Sequence, residues 1–184
     1  KMKENNEQVT WITAYDYPTA MFAEKAGIDM ILVGDSLGMV VMGYDGTEPV
    51  TMEEELHHCK AVRNGAPETW IIGDMTFMSY QVSVEKAVEN AGRLIKEGDS
   101  DCVKLEGGRT VTEQIKAINE AGILVMGHIG LTPQSSGQFG GFKAQGLTVD
   151  SAREIVKDAY AIQEAGVFSM VVEAVPPKVT KFLA

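Results

Sequence analysis

The chain has 184 residues, 45% of them hydrophobic and 23% charged, enough for one domain with a sizeable core. Its 26 acidic against 16 basic residues give a net charge of −10, which argues against nucleic-acid or anionic-membrane partners. No apolar stretch approaches the roughly 20 residues that span a bilayer, and no apolar segment follows the charged start from Lys1 to Asn6, so neither a membrane span nor an export signal is expected.

Six short apolar runs alternate with helix-period stretches. Trp11 to Ala14 precedes a predicted helix from Pro18 to Ala26 that ends at Gly27. Met30 to Val33 is followed by Asp35 and Ser36, and then by a predicted helix from Met52 to Arg63 after Thr51. Trp70 to Ile72 is followed by Asp74 and a helix from Val84 to Lys96, set between Ser83 and Gly98. Cys102 to Leu105 carries Lys104 and Glu106 at its end, with a helix from Thr110 to Glu120 closing before Gly122. Ile123 to Met126 is followed by His128, and the helix from Ser151 to Glu164, with Asp150 as its expected N-cap, ends before Gly166. Met170 to Val172 is followed by Glu173 and a Pro176-Pro177 turn.

The runs are short, rich in Val and Ile, and several are continuously apolar, as parallel strands covered on both faces are. Alternation throughout implies right-handed βαβ units and an α/β fold. No GxGxxG turn follows the first strand, which argues against a doubly wound dinucleotide site. Polar residues instead follow every strand, the pattern of a TIM (β/α)8 barrel whose strand ends converge on one mouth. About six of the eight units are present, so residues 1–184 are expected to form one barrel domain truncated at its C-terminal side.

Asp35, Asp74 and Glu106 end three different strands, and three anions at one mouth must be protonated or share a cation. Mg2+ suits hard oxygen ligands and leaves positions for substrate oxygens. Each acid alone could equally cap a turn. Lys104 lies two residues before Glu106, on the same strand face, where it can hold a substrate carboxylate or balance the acids. Glu173 follows an apolar run that would raise its pKa toward general-base work. His128 is a supporting group or a hydrogen-bonded core residue.

Other features carry less. His57 and His58 read as ordinary helix residues. Cys59 and Cys102 form neither a CxxC pair nor a disulfide framework, which fits buried apolar roles and a cytoplasmic setting. The glycine-rich stretch from Ser135 to Gly141 could cradle phosphate or form a lid, and the run from Met39 to Met42 is expected to pack in the core.

Longer motifs now come together. Ile12-Thr13-Ala14-Tyr15-Asp16-Tyr17, Val33-Gly34-Asp35-Ser36-Leu37-Gly38, Pro49-Val50-Thr51, Ala61 to Pro67, Phe77-Met78-Ser79-Tyr80, Lys104-Leu105-Glu106-Gly107-Gly108 and Gly127 to Gln134 together resemble ketopantoate hydroxymethyltransferases, in family order. The resemblance implies a (β/α)8 barrel that transfers a hydroxymethyl group from 5,10-methylenetetrahydrofolate to 3-methyl-2-oxobutanoate, giving 2-dehydropantoate for pantothenate synthesis. It also implies that Asp35 and Asp74 bind magnesium, with Glu106 bound directly or through water, and that the metal chelates the 2-oxo acid and stabilises its enolate. By the same resemblance Glu173 is the base that takes the C3 proton, and Ser36 and Lys104 hold the substrate carboxylate with Asp35 and Asp74 nearby. His128 matches a site histidine, and the family suggests a homo-oligomer, often a decamer. Two readings stand beside this one: a magnesium-dependent carbon-carbon lyase or mutase acting on 2-oxo acids, and an inactive barrel fragment serving as an interaction module.

Overall fold

A computed structural model describes Met2 and residues 4–184, apart from the side chains of Gln138 and Phe139. The sheet has six strands in sequence order, every neighbouring pair parallel: β1 (Trp11–Thr13), β2 (Met30–Val33), β3 (Trp70–Asp74), β4 (Cys102–Glu106), β5 (Val125–Gly130) and β6 (Ser169–Glu173). It curls into a half-barrel with β1 and β6 as its outer strands. The helices are α1 (Tyr17–Lys25), α2 (Leu37–Val40), α3 (Met52–Gly65), α4 (Val84–Lys96), α5 (Thr112–Glu120), α6 (Ser136–Phe139), α7 (Val149–Glu164) and α8 (Pro177–Leu183). Among the described residues no helix is long and apolar enough to cross a membrane.

The strands' two-residue period divides the core into two parts. Ile31, Val33, Ile71, Val103, Leu105 and Val125 point outward and pack beneath the helices, with Leu56, Val62, Leu94, Ile115, Ile118 and Ile162 from α3, α4, α5 and α7. Leu32, Ile72, Cys102 and Met126 point inward and form a smaller apolar floor with Met30 and Val171. Local signals set the helix starts. The Thr51 hydroxyl accepts the Glu54 N–H, and the Glu54 carboxylate accepts the Thr51 N–H in return, which closes a capping box on α3. Ser83 caps α4 by accepting the Lys86 N–H.

Several sequence expectations need correction. Helix α7 begins at Val149 and is capped by Thr148, not Asp150, because Thr148 and Ser151 exchange backbone bonds. The stretch from Thr110 starts as a 3-10 turn, Arg109–Val111, before α5. The prolines at 176 and 177 open α8 instead of forming a simple turn, since proline's fixed φ suits a first helical turn. Met39, Val40, Val41 and Met42 are exposed, at 38, 69, 51 and 40%, because α2 is one short turn that buries only Leu37 and Gly38. Ser135 to Gly141 spans the end of a 3-10 turn and the short helix α6, and the part of that stretch made by the Gln138 and Phe139 side chains lies outside the described residues.

Candidate active site

The inward-facing period that builds the floor also builds the site. Two residues beyond Ile72 comes Asp74, beyond Cys102 come Lys104 and then Glu106, beyond Met126 comes His128, and beyond Val171 comes Glu173. Asp35 and Ser36 come from the turn directly after β2. All seven predicted site residues line one cavity of about 340 Å3, with Trp11, Thr13 and Leu32 toward its base. A larger, more open recess of about 580 Å3 beside Tyr44, Glu48, Ser136 and Phe142 holds none of the seven.

The charges are tightly interlocked. Asp74 Oδ2 accepts the Asp35 backbone N–H at 3.1 Å, and Asp74 Oδ1 lies 2.9 Å from the Lys104 ammonium. That last approach is an ion pair off the direction of a hydrogen bond, so Asp74 Oδ1 is a buried oxygen without a directed donor among the described residues. Lys104 Nζ is also 3.9 Å from Glu106 Oε1, which stands 3.4 Å from His128 Nδ1. His128 Nε2 faces Glu173 Oε2 at 3.2 Å. The Ser36 and Tyr15 hydroxyls are hydrogen-bonded at 2.8 Å.

Burial, followed by the charge of Asp74, pushes the Asp35 carboxyl up to about 8, with Lys104 opposing. Burial raises Asp74 as well, again against the pull of Lys104. Burial works against the charge of Lys104, but Asp74, Glu106 and Asp35 outweigh it and hold the ammonium above the usual lysine range. For His128, burial and Lys104 disfavour the proton, while Glu106 and Glu173 more than offset them. The mouth therefore carries an excess of carboxylate that a proton or a cation must balance.

One expectation fails on burial. Sequence alone places Glu173 in apolar surroundings, whereas β6 is half-buried along its length and the Glu173 side chain is 42% exposed, because β6 is an outer strand of an open sheet.

Among the described residues no three His, Cys, Asp or Glu side chains are grouped so that they could hold one metal ion. Asp35 and Asp74 are the neighbouring acidic pair. Glu106 is turned away, with its Oε2 accepting the Gln134 backbone N–H at 3.0 Å and its Oε1 toward His128 and Lys104. A two-carboxylate site of this kind fits a hard cation, because Asp35 and Asp74 offer hard oxygen ligands side by side with the Lys104 ammonium, 2.9 Å from Asp74 Oδ1, as the cation between them.

Three residues at the site escape sequence reasoning. Glu55 of α3 is fully buried, and its Oε1 accepts the Asp74 backbone N–H at 3.2 Å. The one signal for it is positional: Met52, Glu55, Leu56, Cys59 and Val62 make one helix stripe in which a carboxylate is out of place. The Tyr80 hydroxyl, with one proton to share, lies 2.9 Å from the Glu106 carbonyl and 2.8 Å from Gln134 Oε1. Gln134 donates its side-chain amide to Asp35 Oδ2 at 2.8 Å. Both tyrosine and glutamine lie inside quoted motifs, but no spacing rule ties them to residues so distant in sequence.

Parallel strands that bring acids, a lysine and a histidine to one end define a barrel-type α/β scaffold with its site at the C-terminal mouth. The chain belongs to the ketopantoate hydroxymethyltransferase family, whose model matches residues 1–184. Proteins named 3-methyl-2-oxobutanoate hydroxymethyltransferase are 69% identical in Alkaliphilus metalliredigens, over 100% of this chain and 65% of the relative, and 58% identical in Moorella thermoacetica, over 95% and 65%. The relative from Clostridium novyi is 57% identical over 100% of this chain and 66% of its own. The chain thus spans about 65% of the length of the curated relatives it matches. Among solved structures, a 2,3-dimethylmalate lyase described as a PEP mutase/isocitrate lyase superfamily member shares the fold with a TM-score of 0.71 at 17% identity, over 98% of this chain and 62% of that one. A putative phosphonomutase from Burkholderia cenocepacia has a TM-score of 0.76 at 14% identity, over 96% and 73%.

Proposed function

We propose that the protein transfers a hydroxymethyl group from 5,10-methylenetetrahydrofolate to 3-methyl-2-oxobutanoate, giving 2-dehydropantoate for pantothenate synthesis. The observation that carries this reading is the gathering of Asp35, Ser36, Asp74, Lys104, Glu106, His128 and Glu173 around one cavity of about 340 Å3. That volume suits a small branched 2-oxo acid, and relatives at 57–69% identity are named 3-methyl-2-oxobutanoate hydroxymethyltransferase, which supports that acceptor and the transferred group.

Asp35 and Asp74 would hold Mg2+, with Glu106 beside them, bound directly or through water. Bound there, the ion supplies polarisation of the 2-oxo acid's carbonyl and carboxylate oxygens, which makes C3 more acidic. The Lys104 ammonium and the Ser36 hydroxyl bind the substrate carboxylate, and Tyr15 fixes the Ser36 rotamer through their shared hydrogen bond. Glu173 accepts the C3 proton, with His128 Nε2 facing its carboxylate at 3.2 Å. The electron pair left at C3 then forms the bond to the folate's methylene carbon, whose two C–N bonds break; water supplies the oxygen of the new hydroxyl, and tetrahydrofolate leaves with the C3 proton and one proton of that water on its nitrogens.

The same reading extends the half-barrel by two further βα units into one (β/α)8 domain, acting in the cytoplasm as a homo-oligomer, a decamer by family likeness. The outer strands β1 and β6 and the length of the relatives support that extension. Incubation with both substrates and magnesium, followed by mass spectrometry, is expected to show 2-dehydropantoate that vanishes on adding EDTA or omitting the folate. Folate-independent cleavage of a 2-oxo acid would support the lyase reading instead, and absence of any turnover the interaction module.

A further inference from the structure

Gln134 is buried, 4% exposed, and both ends of its side chain are fully engaged. Its Nε2 donates to Asp35 Oδ2 at 2.8 Å and to the Met75 carbonyl at 2.9 Å. Its Oε1 accepts the Tyr80 hydroxyl at 2.8 Å and the Gln81 amide at 3.2 Å. Its backbone N–H donates to Glu106 Oε2 at 3.0 Å. One residue of the β5 loop therefore grips a carboxylate that follows β2, through its side chain, and the carboxylate that ends β4, through its backbone, while the segment after β3 holds it by Tyr80 and Met75.

We propose that Gln134 is a positioning residue that fixes how Asp35 and Glu106 present themselves to the cavity. An amide can donate through Nε2 and accept through Oε1, and here Tyr80 and Gln81, by donating to Oε1, set which way round the amide lies. Nε2 therefore occupies one oxygen of Asp35, and the other, Oδ1, accepts no hydrogen bond from the described residues. Glu106 is tied at Oε2 by the backbone N–H of Gln134, with Oε1 left facing Lys104 and His128. Asp35 is thereby limited to offering a single oxygen, which suits the strict octahedral geometry of magnesium better than a freely rotating bidentate acid. The inference rests on the reading of Asp35 and Asp74 as the magnesium pair.

The test compares Gln134→Met, which keeps volume and removes both polar ends, with Gln134→Glu, which keeps shape and replaces the donor with an oxygen. Magnesium affinity is measured by calorimetry, and the fold of each metal-free variant by circular dichroism. Both variants are expected to bind magnesium at least tenfold more weakly than the wild type, the scale of losing a residue that orients a ligand. Tyr80→Phe, which frees Gln134 Oε1, is expected to weaken binding in the same direction by a smaller factor. Bound Mn2+, which suits the same oxygen donors, is expected to give an altered electron paramagnetic resonance spectrum in Gln134→Met; a glutamine that merely fills space would leave it unchanged. Wild-type affinity and spectrum in Gln134→Met overturn the positioning role by itself. A wild type that binds no magnesium overturns the magnesium reading together with it. If Gln134→Met does not fold, Tyr80→Phe decides, and unchanged affinity there counts against the proposal.

Discussion

Glu55 is a carboxyl with no exposed surface, and only one of its oxygens is bonded. Burial, and then the charges of Asp74 and Asp35, hold its pKa well above the usual carboxylate range. The folded chain therefore keeps the Glu55 proton at pH values where the unfolded chain has released it, so stability present at low pH is lost as pH rises above the ordinary carboxylate value of about 4.3. Glu55→Gln, which is neutral at every pH, removes that loss. Its unfolding free energy relative to the wild type is expected to climb as pH rises above that ordinary value, with a limiting slope of about 1.4 kcal/mol per pH unit. A difference that stays flat with pH would show that Glu55 is ionised in the fold. The acids that end strands, Asp35, Asp74 and Glu106, were legible in the sequence, because a polar residue after an apolar run stands out. Glu55 was not, because one acid on a helix rich in acids looks like a solvated face until its neighbours on the buried stripe are counted.

At the scale of elements, strand positions followed from apolar runs, but their ends did not. Sequence reasoning stops the third strand at Ile72 and the fourth at Leu105, where the apolar run breaks, while the ladders continue to Asp74 and Glu106. The residues that break the run are those the barrel turns inward at its mouth, so the strand goes on where the pattern fails. The fifth strand shifts further, to Val125–Gly130, since Gly127 and His128 interrupt its apolar signal. Helix α4 was read with its exact bounds, Val84 to Lys96, because Ser83 and Gly98 mark both ends. Its anchor is Leu94, fully buried within the outer core. Leu94→Ala is expected to cost about 2–5 kcal/mol in urea unfolding, and Thr51→Ala, which opens the α3 capping box, about 0.5–2 kcal/mol. A Leu94→Ala loss below that of Thr51→Ala would contradict the packing described for α4.

At the scale of the molecule, the inner face of the sheet is the feature that composition could not reveal. Trp11 lines the base of the cavity at 44% exposure, and Trp70, at 39%, donates its indole N–H to Cys102 Sγ in the apolar floor. If two further βα units close the barrel, both rings become enclosed. Tryptophan emission of the closed protein is then expected to resist acrylamide quenching, whereas that of the 184-residue chain is quenched readily; equal quenching would count against the eight-unit barrel. The mouth of that barrel is where the proposed chemistry is decided, and hydrogen exchange at C3 of 3-methyl-2-oxobutanoate in deuterium oxide, followed by NMR without folate, tests it most directly. Exchange that requires magnesium and disappears in Glu173→Gln is the expected result. No exchange with magnesium present, or an unchanged rate in Glu173→Gln, would contradict the assignment of the site and of its base.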